Sequence, residues 1–493
     1  MADQLLRRRS KPARGRNERG PAESPPLVLK FGGSSVEDAA AMERVAAIVA
    51  DACGAGRPVV VTSAMRGVTD GLLGAVRKAA GGEVSLALKW TRALIDRHRD
   101  VAAALLETAA RQRLERRWMD AGTRLSRLLK VLAEHPGTHR PLQDEVAAFG
   151  EWFTSLLLAE VLGAKGLPAR WVDARRCIRT DEEYTCAAPL PELTREHTRA
   201  ELLPVLARGE IPVLGGFVAS SLQGATTTLG RGGSDYSAAL LGAALDAREI
   251  QIWTDVSGFL TADPRVVATA RTLPRLSYAE AAELAFFGAK VLHPGTIQPA
   301  VQRRIPVRVC NSRAPGSAQT VVGGEAEAPA CGVRAVAHRT GVTIVRVTSA
   351  RMLGAHGFLH AIFQVLNRHR LAADVVATSD VSVSLALSAP ECLQQIVGEL
   401  ELIGCVQVEA GYAIVCIVGE GLRGTCGIAA AVFGVLADIN VSLISQGASS
   451  TNLSFVVREP EAEEAVRRLH DAFCVAQAPS PDERAPGLLA ARQ

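Results

Sequence analysis

From Leu27 to about Val322, short apolar runs alternate with longer stretches of helical spacing. The runs in "LVLKF", "RPVVVTSAM", "LPARWVDA", "IPVLGGFVAS", "EIQIWTDVSG" and "IPVRVCNS" read as strands. Strands separated by helices argue for a largely parallel sheet covered on both faces. Residues 85–134 interrupt this rhythm. They are Arg-rich and Leu-spaced without a strand signal, and predict a helical excursion from the sheet. "GGEAEAPA", residues 323–330, reads as a linker. Beyond it the pattern repeats at a constant offset of 70: Gly357, Phe363, Val365, Leu366 and Ser379 reappear as Gly427, Phe433, Val435, Leu436 and Ser449. Two copies of one small βαββαβ unit are expected, at 331–405 and 406–476.

Length and composition narrow the classes. A chain of 493 residues with 48% apolar content exceeds one ordinary core, so two to four domains are expected. The formal charge of +4 is matched by residues 1–24 alone, where seven Arg or Lys face Asp3, Glu18 and Glu23, leaving the body neutral. No basic surface for nucleic acid is therefore expected in the body, and the segment reads as a disordered basic tail. It lacks both the apolar core of a signal peptide and the composition of a transit peptide. Residues 477–493, rich in Pro and Ala, read as a second tail or a linker. No apolar run is expected to reach the roughly 18 residues of a membrane helix, so the reading is a soluble cytoplasmic protein. The ten cysteines form no C-x-x-C pair and read as reduced, buried thiols.

Chemistry gathers where strands end. "LVLKFGGSSVEDA" sets Lys30 against Gly32-Gly33, a turn another object can approach closely, and Ser34 or Ser35 is expected to cap a helix from about Val36. A phosphate would suit that cation and those exposed N–H groups. The spacing is neither a P-loop nor the three-glycine dinucleotide fingerprint. "TTTLGRGGSDYSAALL" surrounds Arg231 with Gly230, Gly232 and Gly233 before Ser234-Asp235 opens a helix. A guanidinium fork beside a helix N-terminus suits a carboxylate or a phosphate. "WTDVSGFLTADPRVV" ends a strand at Thr254-Asp255 and turns through Asp263 to Arg265, and "FGAKVLHPGTI" carries Lys290 and His293. Asp263 reads equally as a turn residue before Pro264, and His293 as a loop-shaping residue before Pro294.

These ordered motifs, together with "FGEWFTSLLLAEVL", resemble aspartate kinase of the amino acid kinase superfamily. The repeated region resembles the paired ACT domains of its lysine-sensitive, single-polypeptide class. The resemblance implies an α/β fold, a three-layer αβα kinase domain at 25–322 followed by two βαββαβ ACT-type units. It implies ATP-dependent phosphorylation of the β-carboxylate of L-aspartate, the first step toward lysine, threonine and methionine. By the same resemblance Lys30, Gly32, Gly33 and Asp255 serve catalysis, and Thr69, Glu151, Arg231 and Ser234 bind aspartate. ATP falls to Lys30, Gly33, Ser34, Thr254, Asp255, Arg265 and Lys290. Without the resemblance, Glu151 reads as a helix-surface residue. Mg2+ would be held mainly by ATP oxygens and water, since no carboxylate cage is evident.

The resemblance also places a feedback amino acid, lysine foremost, among Met352, Gly357, Phe358, Leu359, Asp374 and Ser379. Ala355, Ala372, Ala373 and Asp380 depart from the family pattern there, which implies weakened lysine inhibition or help from threonine. ACT pairing across subunits implies a homo-oligomer. Two other functions fit parts of the pattern: an amino-acid sensor with an inert kinase domain, and a kinase for another acid such as glutamate. Relatives fused to homoserine dehydrogenase or diaminopimelate decarboxylase make the Pro-rich end a candidate start of such a linker.

Overall fold

The computed structural model describes residues 25–135, 139–288, 292, 294–324, 332–349, 357–388 and 392–475. Both expected tails, most of the 323–330 linker, Lys290, His293, Met352 and Ala355 lie outside the described residues.

In chain order the first part comprises β1 (Leu27–Phe31), α1 (Ala39–Ala55), β2 (Pro58–Thr62), α2 (Val68–Ala80), α3 (Val84–Leu105), α4 (Thr108–Glu134), α5 (His139–Ala164), β3 (Ala169–Trp171), β4 (Arg179–Thr180), α6 (Pro191–Ala207), β5 (Ile211–Gly215), β6 (Val218–Ser221) and β7 (Thr226–Thr228). It continues through α7 (Gly233–Ala244), β8 (Glu249–Thr254), β9 (Arg275–Ser277), α8 (Tyr278–Phe287), α9 (Gln298–Gln302), β10 (Val307–Asn311) and β11 (Thr320–Gly323). Eight strands form one sheet in the order β3-β5-β2-β1-β8-β10-β11-β9, parallel except between β10 and β11. All five residues of β1 are buried. Because strand side chains alternate, Leu27, Leu29 and Phe31 enter one core with Met42, Leu72 and Leu157, while Val28 enters the other with Leu202 and Leu240. Helices thus cover both faces, giving three layers. A small sheet of β4, β6 and β7 stands beside them.

Two local expectations need correction. The serines after Gly33 do not cap a helix at Val36. Gly33–Ser35 form a single 3-10 turn, and α1 starts at Ala39, where the Asp38 carboxylate accepts from the Ala41 N–H at 2.8 Å. Ser35 is drawn into the sheet end instead, 2.7 Å from the Ser312 hydroxyl. Secondly, α5 is long and apolar enough, by composition, to cross a membrane. It is the central core helix, buried from Val146 to Leu162 except for scattered positions and packed against α2, α4 and the sheet. The thiols are also mixed: Cys177, Cys310, Cys416 and Cys474 are buried, but Cys186, Cys405 and Cys426 are exposed.

The second part comprises β12 (Ala335–Thr348), α10 (Phe358–Arg368), β13 (Val375–Thr378), β14 (Ser382–Ser388), α11 (Leu393–Leu400), β15 (Cys405–Val418), α12 (Ile428–Val435), β16 (Leu443–Gln446), β17 (Asn452–Arg458) and α13 (Glu459–His470). The repeat is visible in register. Gly357 and Gly427, both left-handed at φ 89° and 78°, precede α10 and α12, and β14 and β17 follow at matching positions. The two copies share one antiparallel sheet, β13-β14-β12-β15-β17-β16. Val342–Thr348 of β12 pairs with Cys405–Tyr412 of β15, whereas Ala335–Arg339 pairs with Ile414–Val418. The expected boundary at 405/406 therefore falls at the start of a strand that serves both copies. The second copy takes its outer strand from residues upstream of the first.

The regulatory sheet is fastened to the catalytic part at α8. The Arg334 guanidinium stands 2.7 Å from the fully buried Glu280 carboxylate, and Glu280 also closes a capping box with Ser277. Ser277 Oγ donates to Glu420, and Asn452 donates to Glu283 at 2.6 Å. Removing one member of a buried pair strands the other charge, so Glu280→Ala should destabilise the protein by about 3–5 kcal/mol. Chemical denaturation followed by tryptophan fluorescence measures this.

Candidate active site

The parallel strands β1, β2, β5 and β8 end on the same edge, where α/β sheets place ligands. Backbone bonds zip the loops leaving that edge: Gly32 N–H donates to Trp253, Ser63 N–H to Phe31, Arg66 N–H to Gly33 and Gly216 N–H to Thr62. Gly33 is small for that reason: a Cβ there would stand 2.8 Å from the Ala64 carbonyl oxygen.

A cleft of about 700 Å³ opens above this edge. It brings together Lys30, Gly33, Thr69, Glu151, Arg231 and Ser234, and adds Arg66, Asp144 and Asp235. Lys30 shares the parity of Val28 and so faces α7, where its ammonium meets Asp235 at 2.7 Å. Glu151 projects from α5 and is 3% exposed. Gly215 lets the helix approach this closely, since a Cβ there would fall 2.8 Å from the Glu151 Cβ. One carboxylate oxygen of Glu151, Oε2, is buried with no hydrogen-bond partner among the described residues. Burial pushes the Glu151 carboxyl up to about 8, against the opposing pull of the Ala64 N–H and the Lys30 charge.

At the opposite wall, Gly230 and Gly232 are left-handed, at φ 74° and 72°, and Gly232 precedes the first turn of α7. Ser234 sits in that turn, pressed against Gly216, where a Cβ would meet the Ser234 Cα at 2.8 Å. Arg231 is exposed, and its guanidinium has no ion pair among the described residues. The cleft therefore offers a free guanidinium, a helix N-terminus, an ammonium and an unpartnered carboxylate oxygen. That set suits a small zwitterion carrying a second acid group, next to a phosphate.

The residues expected on the nucleotide side are placed separately. Ser34, beside Gly33, is half-buried in the 3-10 turn. Thr254 ends β8 one strand from Gly32, and its hydroxyl donates to Asp255. Neither Thr254, Asp255 nor Arg265 lines the cleft. Asp263 is a turn residue: it accepts from the Arg265 N–H at 2.9 Å and pairs with the Arg265 guanidinium. Its loop packs through Ala262 and Val267 on the second regulatory copy. Asp235 and Asp144 escaped the sequence reading. The available signal for Asp235 was a lysine on an otherwise apolar strand, which requires a counter-charge somewhere.

Of the effector residues, Gly357 to Leu359 begin α10, while Asp374 and Ser379 flank β13. Asp374 is already engaged. It accepts from Arg339 at 3.0 Å and from the Ser388 hydroxyl. Ser379 Oγ lies 2.7 Å from Ser382 Oγ.

The αβα sandwich is the fold of an amino acid kinase: the amino acid kinase family model matches residues 25–311, with an ACT domain at 415–473. The chain belongs to that family and, within it, to the aspartokinases. It is 40% identical to lysine-sensitive aspartokinase 3 of Escherichia coli over 90% of this chain and 98% of that protein. It is 38% identical to chloroplastic aspartokinase 3 of Arabidopsis thaliana over 90% of this chain and 81% of that one. Crystal structures of E. coli aspartokinase III superimpose with TM-scores of 0.76 for the complex with aspartate and ADP (R-state) and 0.79 for that with lysine and aspartate (T-state). Each is 38% identical and covers 91% of this chain and 99% of the other.

Proposed function

We propose that the cleft binds L-aspartate with its α-ammonium on Glu151 and a carboxylate on Arg231, Ser234 and Thr69, while Lys30 faces the γ-phosphoryl group of ATP. The unpartnered Glu151 oxygen across the cleft from an unpaired Arg231 carries this reading, because each end lacks the partner a zwitterionic diacid supplies. The β-carboxylate is ionised at neutral pH and attacks Pγ directly, with no base needed. The bond from Pγ to the bridging oxygen breaks, leaving aspartyl β-phosphate and ADP. Lys30, oriented by Asp235, neutralises charge spreading over the phosphoryl oxygens. Thr254, Asp255, Arg265 and Lys290 are assigned to the nucleotide. Mg2+ would be held mainly by ATP oxygens and water and would supply further charge neutralisation of the phosphates.

Lys30 and Arg231 should fail differently. Lys30→Ala removes charge that matters most in the transition state and should lower kcat about 100-fold or more. Arg231→Ala should chiefly raise KM for aspartate, by about 10- to 100-fold, the weight of a charge-assisted hydrogen bond. Coupled assays of ADP release measure both. Equal, small effects would overturn the assignment.

Glu151 gives the site a pH signature. It must be ionised to receive the ammonium, yet below about pH 8 burial keeps it protonated in the empty cleft. KM for aspartate should therefore fall by up to about tenfold per unit as pH rises toward that value, then level off. Glu151→Gln should bind weakly at every pH and lose this slope.

The regulatory pair is assigned to feedback by lysine in a cytoplasmic homo-oligomer. Exposed Leu359, Phe363, Val376 and Ile444 supply apolar surface for association. Since Arg339 already holds Asp374, an incoming ε-ammonium must compete with a resident cation. Inhibition by lysine should be weak, or strengthened by threonine, and Asp374→Ala should raise the half-inhibitory lysine concentration at least about tenfold. Titrations with each amino acid and with both decide this, and tight inhibition by lysine alone would refute the weakening.

A further inference from the structure

We propose that Asp144 is a positioning residue for substrate recognition: its buried carboxylate clamps the two loops beside Arg231 and so fixes where the guanidinium stands. The inference rests on the reading of Arg231 as the contact for a substrate carboxylate.

Asp144 lies on α5, two turns before Glu151, and is 1% exposed. It accepts from the Thr185 N–H with both oxygens, at 3.1 and 2.9 Å. It accepts from the Thr228 N–H at 2.9 Å and from the Thr228 hydroxyl at 2.9 Å. Every contact is a donor pointing at the carboxylate. An amide has one acceptor oxygen and would turn its own N–H groups toward these donors.

Both tethered residues border the Arg231 loop. Thr228 ends β7, three residues before Arg231. Thr185 is left-handed at φ 73°, an unfavourable state for a β-branched residue, and its carbonyl oxygen and the Cys186 Sγ both stand 3.3 Å from where a Gly230 Cβ would be. The turn at 185–186 is thus a wall against which Gly230 folds, and Asp144 holds that wall in a strained conformation. Arg231 has no side-chain ion pair among the described residues, so its place is set through its backbone. The two ends of the cleft consequently refer to one helix: Glu151 directly, Arg231 through Asp144. The spacing of the two along α5 thus enters the distance between the groups that receive the acid.

Steady-state kinetics on the full chain test this. Asp144→Asn should raise KM for aspartate about tenfold, one charge-assisted bond's worth, with KM for ATP unchanged. Thr228→Val, which removes a single hydroxyl donor and keeps the backbone bond, should raise it about threefold and serves if Asp144→Asn folds poorly. Thr185→Gly removes the strained side chain, so in the Asp144→Asn background it should recover at least about threefold of the lost KM. A merely structural role predicts lower thermal midpoints and lower kcat without that selective recovery. Unchanged KM for aspartate in Asp144→Asn, or parallel rises for both substrates with no recovery in the double variant, overturns the proposal. Unchanged KM in Arg231→Ala would instead overturn the reading of the cleft, and this assignment with it.

Discussion

A lysine ammonium on an inner strand of a covered sheet must be answered by a counter-charge, and the geometry of the cleft follows from that demand. Lys30 is 8% exposed, and leaving its charge unpaired at that depth costs several kcal/mol. Asp235 answers it from the first turn of α7, which fixes that turn above the end of β1. Once the turn is fixed, Gly232 must pass through a left-handed conformation to reach it, and Ser234 must lie flat against Gly216. The N-terminal N–H groups of the helix then surround the place where the lysine charge is needed. One ion pair orients the cation and sets the glycine-rich wall beside it.

Elements set by local pattern were legible in the sequence. The buried strands, the helical excursion through α3 and α4, and the 70-residue repeat all follow from periodicity and turn residues. Lys30, Arg231 and Ser234 were marked as chemistry-bearing by strand ends and glycine loops, the ligand edge of such a sheet, whereas Thr69 and Glu151, on α2 and α5, came only from the family resemblance. What escaped depends on partners far away in the chain. Ser35 looks like a helix cap until Ser312 offers it a hydroxyl, and Asp235 looks like a helix opener until strand parity turns Lys30 toward it. Asp144 carries no signal at all, since its donors come from loops whose approach only the folded chain defines. The shared strands β12 and β15 were hidden for the same reason: a long strand and two short ones share one pattern.

The regulatory sheet meets the catalytic part through side chains that serve two masters. Arg339 donates to Asp374 while its guanidinium lies 4.8 Å from the Phe286 ring on α8. At the end of that helix Gly288 leaves room for the His338 carbonyl, from which a Cβ would stand 2.7 Å away. Asp374 is thus joined to the C-terminal end of α8 through the single side chain of Arg339.

The interlocked register of β12 and β15 bears on how such a chain was assembled. Arg339 and Ile414 are paired neighbours across the sheet, so the whole first copy leaves and rejoins the second copy at adjacent points. Topologically the first copy is an insert in a hairpin, a cassette whose loss would leave two strand ends side by side and ready to be joined by a short turn. The second copy has no such freedom, because its outer strand is the first thing built after the catalytic part and its sheet bears on α8. Joining Arg339 directly to Ile414 would remove the first copy and leave the bonds from Ser277 to Glu420 and from Asn452 to Glu283 untouched.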